Sequence, residues 1–271
     1  GEKLALHQSS ATRPLVVAVN GCQGSGKSTV CDYLRSFLVS EHGLNVVCPS
    51  LDDFYLTRTE RQALAQSVHP LLATRGVPGT HDMHLLNRVL DALLHPVGSE
   101  PVAIPRFDKA TDDRQPKFAW DCVLEPVDLV LLEGWCLGAR PQSAAELASP
   151  VNTLEREEDP DGMWRACINA ALERDFLPLY RRVDRWVMLQ APSFDCVYRW
   201  RLEQEQKLAA KSGQDGSGAI MDEARVARFI QHFERLTRHC LEQLPPRMHD
   251  VYQLDEQRQV VVHEQHAGSI Q

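Results

Sequence analysis

The 271-residue chain has no apolar run reaching the ~18 residues that a membrane-spanning helix needs. Residues 1–14 lack the apolar core of a secretion signal and read as a polar tether ahead of the fold. There is no long basic run and the net charge is −8, which argues against a dedicated nucleic-acid or membrane-surface binder. None of the eight cysteines (22, 31, 48, 122, 136, 167, 196 and 240) forms a C-x-x-C pair. His69, His81 and His84 share no zinc spacing with them, so no structural metal is expected. A chain of this length needs no disulfide staples; the thiols are expected to be reduced and the protein cytoplasmic. The sequence also lacks an N-K-x-D run, which disfavours a guanine-nucleotide switch, and has no internal repeats.

What is present is organised around one stretch, LVVAVNGCQGSGKSTVCDYL at residues 15–34. It opens with a β-branched apolar run that reads as a buried strand. It continues as GCQGSGKS, which fits the phosphate-loop pattern G-x-x-x-x-G-K-[ST]. Val30, Leu34, Phe37 and Leu38 then recur at helical spacing, so the motif lies between a strand and a helix. A polyphosphate needs many donors close to its oxygens. Glycines at 21, 24 and 26 let backbone N–H groups turn inward, and the next helix aims its N-terminus at the anion. The ATP-binding set is therefore Gly21, Cys22, Gln23, Gly24, Ser25, Gly26, Lys27, Ser28 and Thr29. Lys27 is placed to reach the β- and γ-phosphates, and Ser28 to ligate Mg²⁺. Cys22 inside this loop is either an oxidant-sensitive thiol or a tolerated small residue.

Strands and helices alternate along the rest of the chain. Strands are expected at 15–20, 45–50, 102–105, 127–132, 185–190, 251–254 and 260–263. Helices are expected at 27–42, 59–66, 83–94, 164–182 (despite Pro178), 193–211 and 222–244, with a short one near Ala144. Residues 69–82 read as loop and 106–122 as charged and irregular. The fold class is α/β: a doubly wound, mostly parallel sheet in one domain spanning 15–271. A Gly/Ser segment at 212–218 suggests a helical lid over about 195–222.

Ligands of such sheets sit beyond the C-terminal strand ends. There the second strand delivers Asp52 and Asp53, followed by Phe54 and Tyr55. Adjacent carboxylates at this position can hold Mg²⁺ or accept a proton from a hydroxyl nucleophile; the alternative is a plain helix cap. The run VDLVLL at 127–132 ends in Glu133, in position to orient the metal and its waters. Two loops carry convergent polar groups, RGVPGTHD at 75–82 and PRFDK at 105–109, and suit a small anionic acceptor. Arg199 and Arg201 lie on the helix before the Gly/Ser segment. Either could close over the γ-phosphate, or could be an ordinary surface arginine paired with Glu203 or Glu205.

Taken in order, GCQGSGKS, SLDDFYLT, RGVPGTHD, PRFDKATDDR, LLEGWCLG and YRWRLEQE resemble the plant-type D-glycerate 3-kinases and their bacterial and fungal relatives. These stand within the phosphoribulokinase, uridine kinase and pantothenate kinase group. The resemblance spans about residues 15–255. It implies the three-layer P-loop kinase fold with a helical lid, and transfer of the ATP γ-phosphoryl group to D-glycerate with Mg²⁺. It implies Asp52 as the base, assisted by Lys27 and a lid arginine, entered here as Arg199. Ser28, Asp53 and Glu133 would form the metal shell. Asp53, Tyr55, Arg75, His81, Arg106 and Lys109 would be the acceptor-side set. Where the family carries a G-R-G-D-R-like run, this chain has Thr111-Asp112-Asp113-Arg114. A same-fold kinase for another small alcohol, and an ATP-binding protein without catalysis, remain the alternatives.

Overall fold

The uninterrupted apolar runs at 15–20 and 129–132 cannot alternate polar and apolar faces, so they need cover on both sides. The computed structural model, which describes residues 13–96, 98, 100–211 and 221–270, gives them that cover. The chain begins with β1 (Leu15–Gly21), α1 (Lys27–His42) and β2 (Val46–Val47). A 3₁₀ turn (Leu51–Phe54) leads to α2 (Arg58–Ser67) and α3 (Met83–Leu94). Short strands follow: β3 (Val102–Ile104), β4 (Phe107–Asp108), β5 (Asp113–Arg114) and β6 (Asp121–Val123). Next come β7 (Leu129–Gly134), α4 (Ala144–Ala148), α5 (Thr153–Glu158), α6 (Met163–Ala171) and α7 (Leu177–Tyr180). The chain closes with β8 (Arg185–Gln190), α8 (Phe194–Lys211), α9 (Glu223–Gln243), β9 (Asp250–Leu254) and β10 (Val260–Gln265).

The main sheet has the order β10-β9-β8-β1-β7-β2. β1 lies between β7 and β8, parallel to both, with Val17 opposite Leu131 and Val19 opposite Val187. Only the β9–β10 hairpin at the edge is antiparallel. The two-residue period of the strands sorts the core into two layers. Val17, Val19, Leu129 and Leu131 pack with Cys31 and Leu38 of α1. Val16, Ala18, Val130 and Leu132 face Leu86 and Leu90 of α3 and Ile230 and Phe233 of α9. This is the expected α/β, doubly wound arrangement, with helices on both faces.

Three expectations change in detail. The second strand is confined to Val46–Val47, because Pro49 has no N–H to give the ladder. The chain rejoins the sheet at an isolated parallel bridge between Ser50 and Glu133. The stretch 106–122 is not irregular: β4 pairs with β5, and β6 pairs with β3. The helix expected through 164–182 is interrupted by a π-turn, Leu172–Phe176, just ahead of Pro178, whose ring and missing N–H forbid a regular α-helical ladder there. The Gly/Ser segment 212–218 and residues 1–12 of the tether lie outside the described residues. No helix among the described residues is long and apolar enough to cross a membrane.

Candidate active site

The C-terminal ends of β1, β2 and β7 open on a cleft of about 1100 Å³. Its floor is the loop after β1. Gly24 adopts φ +79 and Gly26 φ +91, so the loop doubles back and starts α1 with no side-chain cap on its first N–H groups. Those groups are left for an anion. Gly24 has a second reason: a Cβ there would stand 2.7 Å from Cβ of Trp200 on α8. Gln23, Gly24, Gly26, Lys27, Ser28 and Thr29 line the cleft. Gly21, Cys22 and Ser25 form the turn behind it, with Ser25 N–H donating to the Cys22 carbonyl at 3.2 Å. Burial pushes the Cys22 thiol up to about 12, so it stays protonated and unreactive, as a tolerated small residue would.

The bridge at Ser50 brings the second strand's end beside Glu133, and the site follows from it. Glu133 Oε1 accepts from Ser28 Oγ at 3.0 Å, and Oε2 stands 3.9 Å from Lys27 Nζ. Ser50 Oγ caps the following 3₁₀ turn by accepting from Asp52 N–H at 3.3 Å. The turn sends Leu51 and Phe54 into the core and holds Asp52 toward the cleft. Tyr55 Oη donates to Asp52 Oδ1 at 2.6 Å, and Lys109 Nζ donates to Oδ2 at 2.6 Å. Burial pushes the Asp52 carboxyl up, but the Lys109 charge and these hydrogen bonds outweigh it and hold the group well below the usual carboxylate range. Asp52 is therefore an ionised oxygen pair at neutral pH.

Asp53 is engaged differently. Its Oδ2 accepts from Arg106 Nη1 at 2.8 Å and its Oδ1 from Phe107 N–H at 3.1 Å. Both oxygens thus tie the loop after β3 to the turn after β2. Burial, set against the Arg106 charge, leaves its pKa raised. Arg106 is also held by Asp121, Nε at 3.0 Å. Arg75 binds Asp112 and stacks over Phe107, 5.5 Å from the ring centre. Arg75, Arg106, Lys109 and Tyr55 all line the cleft.

His81 does not line it. The imidazole is buried between Tyr55 and Phe176, with ring centres 4.8 and 5.9 Å away, and neither nitrogen has a hydrogen-bond partner. Burial lowers its pKa to about 4, so it is neutral and backs Tyr55. Arg199 also lies off the cleft, paired with Glu256 at 2.8 and 3.0 Å. Its neighbour Arg201 lines the cleft, paired with Glu205 and lying 5.5 Å from the Phe229 ring centre.

Four contributors were invisible as site residues in the sequence. Asp112 joins Arg75 to Arg61, whose Nη2 it receives at 2.6 Å. Arg114 holds the Tyr55 carbonyl at 2.8 Å and Asp82 at 3.2 Å. Trp135, expected to be core, donates from Nε1 to the Gly76 carbonyl at 2.8 Å and so fixes the loop that carries Arg75. Arg258 donates from Nε to the Gly24 carbonyl at 2.8 Å. The motif strings contained the first three, but nothing in their spacing distinguished contact from scaffolding.

The chain is 35% identical over 231 residues to the uncharacterized kinase mug58 of Schizosaccharomyces pombe, a match covering 82% of this chain and 79% of that protein. It is 31% identical over 246 residues to the chloroplastic D-glycerate 3-kinase of Arabidopsis thaliana, covering 86% of this chain and 50% of that protein. Among solved structures, the D-glycerate 3-kinase of Cryptococcus neoformans superposes with a TM-score of 0.80 at 28% identity, covering 97% of this chain and 95% of that one. No protein-family model matches the chain.

Proposed function

Since the chain belongs to the family of D-glycerate 3-kinases and their fungal relatives, within the P-loop kinases, we propose that it transfers the γ-phosphoryl group of ATP to the 3-hydroxyl of D-glycerate, giving 3-phosphoglycerate. The observation that carries this reading is Asp52. A carboxylate stands at the cleft wall, opposite a phosphate cradle, with an ammonium group on one oxygen and a phenol on the other. A protein that only bound ATP would need no such group.

The chemistry divides among named residues. The loop N–H groups and Lys27 hold the β- and γ-phosphates. The acceptor carboxylate is drawn by Lys109, Arg75 and Arg106, which places the 3-hydroxyl against Asp52. Asp52 takes the hydroxyl proton as the new O–P bond forms and the bond from the γ-phosphorus to the β–γ bridging oxygen breaks, leaving ADP. We assign to Arg201, rather than Arg199, the charge that builds on the transferring phosphoryl group, because Arg201 is the one that lines the cleft. Magnesium fits Ser28 and Glu133, whose hard oxygen donors meet at 3.0 Å. No group of three or more His, Cys, Asp or Glu among the described residues could hold a metal, which suits a cation shared with phosphates and water. When bound it neutralises charge between the phosphates. The free cysteines fit a reducing compartment, for which we propose the cytoplasm.

The test is ADP release from Mg-ATP with D-glycerate, L-glycerate, pantothenate, uridine and ribulose 5-phosphate as acceptors. D-Glycerate is expected to stimulate turnover above the others. Asp52→Asn is expected to lower kcat by about 10²–10⁴-fold with nucleotide affinity kept. Stimulation by another acceptor alone would move the substrate assignment; full turnover in Asp52→Asn would remove the base.

A further inference from the structure

The turn between β9 and β10 reaches across to the phosphate loop. It is rigid in itself: Asp255 N–H donates to the Gln259 carbonyl at 2.9 Å, and Asp255 Oδ1 accepts from the N–H groups of Gln257 at 2.9 Å and Gln259 at 2.8 Å. It carries Arg258 at φ +67, the left-handed region that a residue with a branched environment and a long side chain rarely adopts. Strain of this kind persists where surrounding contacts over-determine it.

The contacts of Arg258 run to two elements at once. Nε donates to the Gly24 carbonyl in the phosphate loop at 2.8 Å. Nη2 donates to Glu203 Oε2 on α8 at 2.6 Å, and the guanidinium lies 5.0 Å from the ring centre of Trp200 on the same helix. The same turn takes the Trp200 Nε1–H on the Glu256 carbonyl at 2.8 Å and the Arg199 guanidinium on the Glu256 carboxylate. Successive helical residues turn by about 100°, so residues 199, 200 and 203 share one face of α8 while 201 and 205 lie on roughly the opposite one. One face of this helix is thus clamped to the phosphate loop, and the other delivers Arg201 to the cleft.

We propose that Arg258 is a positioning residue that locks the phosphate loop and α8 together, so that the loop amides and Arg201 meet the γ-phosphate in a single geometry. The inference rests on the assignment of Arg201 to the transferring phosphoryl group.

Arg258→Gly separates positioning from mere structure, because glycine relieves the left-handed backbone while deleting the clamp. Hydrogen exchange on the full chain, with and without a non-hydrolysable ATP analogue and Mg²⁺, gives the first readout. In the wild type the analogue is expected to slow exchange in residues 21–28 and in 197–205; in Arg258→Gly only the first effect should remain. The melting temperature should stay equal to or above that of the wild type. Turnover with D-glycerate gives the second readout. Arg258→Gly and Arg201→Ala should each lower kcat at least tenfold, and the double variant should be no worse than the poorer single one. Nucleotide-dependent protection of α8 that survives in Arg258→Gly would overturn the proposal, as would a kcat loss that tracks a fall in melting temperature. So would losses that multiply in the double variant. Full turnover in Arg201→Ala would instead remove the Arg201 assignment, and the exchange readout would still judge the clamp.

Discussion

Lys109 and His81 show how two cleft-side residues of similar sequence prominence come to do different work. Lys109 is exposed and holds Asp52, and the Asp52 charge, ahead of burial, raises the lysine pKa, so it is a cation at any working pH. Lys109→Met removes the partner of the acceptor carboxylate. A charge-assisted hydrogen bond is worth about 1.5–3 kcal/mol, so kcat/KM for D-glycerate is expected to fall roughly 10–150-fold. Glycerol, which has no carboxylate, should be phosphorylated no worse than before. Comparing the two acceptors checks this, and equal losses for both would sink the carboxylate role. His81 acts through stability. Its pKa falls from 6.5 to about 4 on folding, because burial disfavours the charged ring. Above pH 6.5 the ring is neutral folded or unfolded and contributes no pH dependence. Below that value the unfolded chain takes the proton first, so stability drops as pH falls toward 4, by up to about 3 kcal/mol. His232, also buried and lowered to about 4, adds to the same limb. Urea unfolding between pH 7 and pH 4 should be distinctly flatter in His81→Phe than in the wild type.

At the scale of elements, the site depends on a few ties between loops. The loop at 75–82 is closed by Gly76 N–H donating to Thr80 Oγ1 at 3.0 Å and is held down by Trp135. Gly76 is required there by φ +127, and because a Cβ would meet the Phe233 ring at 2.4 Å. Trp135→Phe keeps the ring against Phe233 and leaves the buried Gly76 carbonyl without its donor. The expected cost is about 1–3 kcal/mol in urea unfolding, with a raised KM for the acceptor because Arg75 adjoins the loosened peptide. An unchanged midpoint and KM would show that the indole N–H holds nothing.

Element by element, legibility from sequence followed physics. The phosphate loop, Asp52 and Glu133 were readable because buried parallel strands announce themselves as apolar runs, and ligands gather at their ends. The exchange of Arg199 for Arg201 was not readable: a helix of low amphipathicity does not reveal its rotation, and two residues apart means opposite sides. Asp112 and Arg258 were hidden because both lie in turns at left-handed φ, where no periodicity reports contacts distant in sequence. The shortening of β2 was written in Pro49, whose missing donor outweighs the β-branched residues before it.

The whole molecule behaves, on these contacts, as one unit. The edge hairpin β9–β10 grips the phosphate loop through Arg258, α8 is gripped by the same hairpin, and α9 contributes Ile230 and Phe233 to the core cluster shared with the central sheet. No separate lid body exists among the described residues, since α8 up to Glu203 is tied to the body. A single calorimetric transition is therefore expected, with calorimetric and van't Hoff enthalpies equal. A non-hydrolysable ATP analogue at 100 times its Kd should stabilise that transition as a whole by about 2.7 kcal/mol, or roughly 5–10 °C for a chain of this size. Part of this shift should require Mg²⁺, and Ser28→Ala should abolish that part while leaving the magnesium-independent part, because the loop amides and Lys27 are untouched. Two transitions, of which the analogue moves only one, would show that α8 and the hairpin form a separate unit. A magnesium-dependent shift that survives in Ser28→Ala would place the metal on other oxygens.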